Sequence, residues 1–172
     1  HLGTNSALAL GIPRDKIAVW NPFDHASSIN AARDATVVVW KGFCNVHTHF
    51  TVDHVHEVRR QYPGIKVIVH PECTAEVVQA SDMNGSTSYI IRVVEQAPAG
   101  SSFAIGTEWN LVHRLAQRNA DKIVVPLTRS VCRTMARITP INLWQTMESV
   151  LTGKPINTIR IPEETTRWAN KA

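Results

Sequence analysis

Five short runs of β-branched and other apolar residues punctuate the chain: Ile17–Trp20, Thr36–Trp40, Lys66–His70, Phe103–Gly106 and Ile123–Leu127. Near-continuous apolar runs of this length suit strands of a parallel sheet that is covered on both faces. Between them the apolar positions change to helical spacing, over about 51–62, 86–96, 108–119 and 140–151. Pro63-Gly64 and Pro98-Ala99-Gly100 stop two of these helices. Pro140 suits the first turn of another, where its missing N–H is not needed. The alternation of strand and helix predicts an α/β fold with an open parallel sheet.

A weak internal repeat refines this picture. Val37–Cys44 and Ile123–Cys132 each read as a buried strand, a short loop and then a cysteine. The two cysteines are 88 residues apart, about the length of one small α/β unit. One cysteine per structural repeat follows.

With 172 residues and 44% hydrophobic content, the chain can bury a real core. No apolar run approaches the roughly 18 residues of a membrane span, and no basic-then-apolar leader precedes the first element, so a cytoplasmic protein is expected. The opening His1-Leu2-Gly3-Thr4-Asn5 reads as the middle of an element and suggests a truncated chain. The net charge of +4 and pI near 9.2 come from scattered Lys and Arg, which fit small anionic ligands better than nucleic acid. Three cysteines without a CxxC pair argue against a disulfide framework. They are either buried small hydrophobes or ligands of a soft metal centre.

Ligands of open α/β sheets collect beyond the carboxyl ends of the strands, and Cys44, His70-Pro71-Glu72 and Cys132 all fall at such ends. In Trp40–His47 a thiol and an imidazole stand three residues apart after Gly42. Such a pair can bind a metal or form a thiolate–imidazole nucleophile, or it is a loop cysteine beside an exposed histidine. The proline of His70-Pro71-Glu72 stiffens a turn that suits proton transfer, unless Glu72 only caps the next helix. Asn84–Ser88 precedes a helix and can cradle an anion or merely cap it. His47, His49, His54 and His56 match none of the usual zinc spacings, and a helix from Thr51 directs His54 and His56 to different faces.

Five segments, HLGTN at 1–5, WKGFCNVH at 40–47, VHPEC at 69–73, GSTS at 85–88 and CRTM at 132–135, resemble quinolinate synthases in order and approximate spacing. That resemblance implies three similar αβα domains around a pseudo-threefold axis, with one cysteine from each binding a central 4Fe–4S cluster. It implies that residues 1–48 are the second half of one unit, that 49–132 form a complete unit, and that 133–172 are a helical extension packing on a missing first domain. Cys44 and Cys132 become cluster ligands, Cys73 a packing residue, and the third cluster cysteine lies outside this chain.

The implied reaction condenses iminoaspartate with dihydroxyacetone phosphate to quinolinate, in NAD biosynthesis. Carried over by motif, His47 and His70 contact substrate, Glu72 takes part in proton transfer, and Ser86 with Thr87 hold a carboxylate or the phosphate. A chain lacking one domain is expected to hold no intact cluster, to be inactive alone, and to expose apolar surface. Two rival readings remain at this stage: a noncatalytic α/β anion-binding module with buried cysteines, and a thiol hydrolase built on Cys44 and His47.

Overall fold

The computed structural model describes residues 1–171. By its internal contacts the chain divides into two compact units, 1–132 and 133 onward. The first unit holds two parallel sheets, as the apolar runs predict.

The smaller sheet pairs β1 (Ile17–Trp20) with β2 (Val37–Trp40), from Ile17 opposite Val37 to Trp20 opposite Trp40. α1 (Leu2–Ala9) lies against β2, and α2 (His25–Ala32) against β1. A Cβ on Gly3 would stand 2.7 Å from Val39 Cγ1, so glycine is what lets α1 approach the sheet this closely.

The larger sheet has the order β4-β3-β5-β6, all parallel: β3 is Lys66–Val69, β4 Met83–Asn84, β5 Ser102–Gly106 and β6 Ile123–Pro126. Successive strand residues face opposite ways. Val67, Val69 and Ala104 join Phe50, Val55, Val58 and Val77 on the face covered by α3 (Val52–Gln61) and α4 (Ala75–Ala80). Ile68, Phe103 and Ile105 join Ile90, Val94, Leu111, Val112 and Leu115 on the face covered by α5 (Thr87–Gln96) and α6 (Trp109–Arg118). This is an αβα sandwich. Full burial of side chains such as Phe50, Ile68, Ile90 and Ile105 contributes roughly 1.5–3 kcal/mol each.

After β3 the chain turns to one side through α4 to β4, then recrosses through α5 to β5 on the other side. The strand order therefore reverses between β3 and β5, and in sheets of this kind ligands collect at the carboxyl ends beside such a reversal. Gly106 closes β5 there. A Cβ on it would meet Val69 Cγ1 at 2.8 Å and Leu127 Cδ2 at 3.2 Å, so the three strand ends converge only because this residue has no side chain.

The second unit contains α7 (Pro140–Leu151) and α8 (Glu163–Ala169). α7 starts with a capping box between Thr139 and Asn142 and with Pro140 in its first turn. Its Ile141, Leu143, Trp144, Met147 and Leu151 are all exposed.

Every predicted strand and long helix is present within a residue or two of its expected bounds. Not anticipated were α1, α2, α4, α8 and the two-residue β4. If the convergence on Gly106 is as tight as these distances require, Gly106→Ala lowers unfolding stability by about 1–3 kcal/mol in urea titration. An unchanged midpoint would contradict the packing described.

Candidate active site at the carboxyl ends of the sheet

Cys44 follows β2, and a short 3-10 turn, His47–His49, follows Cys44. His47 N–H and Thr48 N–H donate to Cys44 O at 3.1 and 3.0 Å, winding the loop so that His47 is buried. His70 and Glu72 follow β3, and Thr107 follows β5.

These elements converge. Sγ of Cys44, a ring nitrogen of His47 and a carboxylate oxygen of Glu72 lie within 4.8 Å of one another. His47 Nδ1 stands 2.8 Å from Glu72 Oε2, and its Nε2 stands 3.1 Å from Thr107 Oγ1. Ionised Glu72 can only accept, so Nδ1 carries the proton and Nε2 accepts from the Thr107 hydroxyl. His70 stacks on His47, with centroids 4.3 Å apart and planes at 11°. Glu72 N–H donates to His70 Nδ1 at 3.2 Å, which leaves the His70 proton on Nε2.

Burial holds both imidazoles below their ordinary value of 6.5. For His47 the neighbouring His70 adds to the depression and Glu72 opposes it; for His70 only Glu72 opposes it. Both rings are neutral at pH 7. The constellation is a carboxylate with one oriented imidazole and a second imidazole offering an N–H, beside a half-buried thiol. That set can take up and return protons, and it can ligate a metal.

The sequence-derived candidates fall into two groups. Cys44, His47, His70 and Glu72 are brought together. Ser86 is the exposed N-cap of α5, accepting from Tyr89 N–H at 3.3 Å, with exposed Thr87 next to it. No hydrogen bond joins either of them to His47, His70 or Glu72 among the described residues. Cys132 is half-buried and stands outside the Cys44–His47–Glu72 trio. Its loop is nevertheless laced to the Cys44 loop, because Ser130 Oγ donates to Val46 O at 2.8 Å in a buried contact.

Cys73 is fully buried in the α3/α4 core, its Sγ 3.9 Å from Gly106 O, and burial pushes its thiol up to about 12. His54, from the histidine-rich stretch, accepts from Thr51 N–H at 3.1 Å and so completes the cap of α3. None of the three cysteines is in a disulfide.

Three buried polar residues of the site were not anticipated: Asn5, Thr107 and Ser130. Thr107 had a usable signal, since it directly follows the apolar run ending at Gly106. Asn5 and Ser130 act through backbone carbonyls far away in sequence, which no local pattern encodes.

The sequence model of the family described as "Quinolinate synthetase A protein" matches residues 1–172. The chain belongs to this family. It is 47% identical over 174 residues to a quinolinate synthase of Bacillus mycoides, covering 98% of this chain and 47% of the relative. It is 45% identical over 172 residues to one of Anoxybacillus flavithermus, covering 98% and 47%, and 43% identical over 175 residues to one of Listeria monocytogenes, covering 100% and 48%. The chain thus spans about half the length of these curated relatives. Among the described residues, no helix is long and apolar enough to cross a membrane.

Because His47 and His70 titrate below 6.5 when folded, the unfolded chain binds more protons than the folded one just under that pH. Their contribution to stability is complete above 6.5 and is lost as pH falls from 6.5 through the folded values. Urea titrations across this range should show a steeper acid-side loss for the unsubstituted chain than for His47→Asn or His70→Asn. Parallel pH profiles would refute the buried neutral pair.

Proposed function

We propose that this chain supplies about half of a quinolinate synthase, which condenses iminoaspartate with dihydroxyacetone phosphate to quinolinate with release of phosphate and water, in NAD biosynthesis. The observation that carries this reading is the convergence of Cys44, His47 and Glu72 at the sheet's switch point, in a chain of this family.

The donor set fits two ligands of a 4Fe–4S cluster. Cys44 is half-buried and borders polar groups, and the buried Ser130–Val46 bond ties the loop of Cys132 to that of Cys44. Buried Cys73 does not fit: with its thiol near 12, it is a packing residue. Cys44 and Cys132 would hold the cluster together with a third cysteine from outside these 172 residues, as in a three-domain arrangement in which residues 133–172 pack on the remaining domain. When bound, the cluster supplies a Lewis-acidic iron toward a substrate oxygen.

The chain's own residues handle the protons. Loss of phosphate and the dehydrations each need a base that removes a proton from carbon or nitrogen and an acid that returns one to the departing oxygen, and the tautomerisations need the same groups to move a proton from one atom to another. Glu72 Oε2 is engaged by His47, which leaves Oε1 to take up a proton, and the His47–Thr107 bond keeps the imidazole from turning away. His70, with its proton on Nε2, donates to a substrate oxygen. Ser86 and Thr87, at the start of α5, offer hydroxyls and free backbone N–H groups to a carboxylate or phosphate. A cytoplasmic setting suits reduced thiols and this substrate class.

Anaerobic reconstitution of the full-length protein separates these roles. Cys44→Ala and Cys132→Ala should each lose the cluster's absorbance and iron, Cys73→Ala should keep both, and Glu72→Gln should keep the cluster while kcat falls about 10²–10⁴-fold. Equal behaviour of the three cysteine variants would sink the assignment.

A further inference from the structure

The turn that presents Glu72 is neither strand nor helix. It is held from within by Cys73 N–H donating to His70 O at 3.0 Å, and Pro71 brings no N–H of its own. From outside it is gripped by one side chain. Asn5 Nδ2 donates to Pro71 O and to Cys73 O, both at 2.8 Å, and these carbonyls belong to the residues on either side of Glu72.

Asn5 is 8% exposed and lies 66 and 68 positions away in sequence, on α1. A side-chain amide has two N–H donors, so this contact uses both. The close seat of Gly3 against Val39 fixes where α1 carries Asn5. With both donations made, removal of the amide would leave the two carbonyls that flank the carboxylate without this partner and free that backbone from α1.

We propose that Asn5 is a positioning residue for Glu72. By donating to both flanking carbonyls it keeps the carboxylate on His47 Nδ1, within reach of the Cys44 thiol. The inference rests on the reading of Glu72 as the proton-transfer group. Asn5 itself touches no reacting atom.

The test uses the full-length, cluster-reconstituted protein with Asn5→Ala and with Asn5→Asp, which has the same shape but no N–H. Loss of positioning lowers kcat about 10–100-fold with KM changed less than about threefold and with iron content unchanged. In a Glu72→Gln background the same substitutions should add less than about twofold, because the group they aim is already disabled. A merely structural role would give equal losses in both backgrounds, and that result, or an unchanged kcat in Asn5→Ala, overturns the proposal.

If the unsubstituted protein makes no quinolinate, the proposed function has failed, and the positioning role is then judged by proton NMR of the His47 Nδ1–H. That resonance should vanish in Asn5→Ala as in a Glu72→Ala control, which removes the acceptor. Its persistence in Asn5→Ala would overturn the inference independently of turnover.

Discussion

Everything at the site depends on a carboxylate and two imidazoles being held together where water is scarce. Two charged rings stacked here would repel, and burial holds both histidines below their ordinary value, so the rings meet as neutral imidazoles with each ring nitrogen assigned. The sheet supplies this. Helices cover both its faces, and the reversal of strand order between β3 and β5 leaves their carboxyl ends as the place where polar groups can gather without disturbing the core. Glu72 Oε2 and Thr107 Oγ1 then take opposite sides of His47, and His70 is confined by stacking.

The same logic sorts the cysteines. Cys44 follows an exposed strand end and borders polar partners, whereas Cys73, one residue beyond Glu72, points into the α3/α4 core. Adjacent residues in a turn can thus have opposite fates. Their surroundings, rather than their proximity in sequence, separate a candidate ligand from a filler of apolar space.

Much of this was legible along the chain. Lys66–Val69 and Phe103–Gly106 announce buried strands because both faces of each are apolar, and the strand-end rule leads directly to His70, Glu72 and Cys44. The elements that escaped notice lack such a pattern. α1 is a short helix without an apolar face, α2 is rich in small polar residues, α4 has six residues, and β4 has two. Asn5 was invisible for another reason: its value lies in two carbonyls that only tertiary structure brings near. α7 exposes several apolar residues, and Val38 and Trp40 of the two-stranded sheet are likewise uncovered.

The central claim is that the Cys44 and Cys132 loops serve one centre beside the His-Pro-Glu turn. An iron-edge anomalous difference map from crystals of the full-length protein, grown without oxygen, addresses it most directly. The account predicts a single strong peak bonded to both sulfurs and facing Glu72. A peak bonded to Cys73, or one that leaves Cys44 and Cys132 apart, would contradict it.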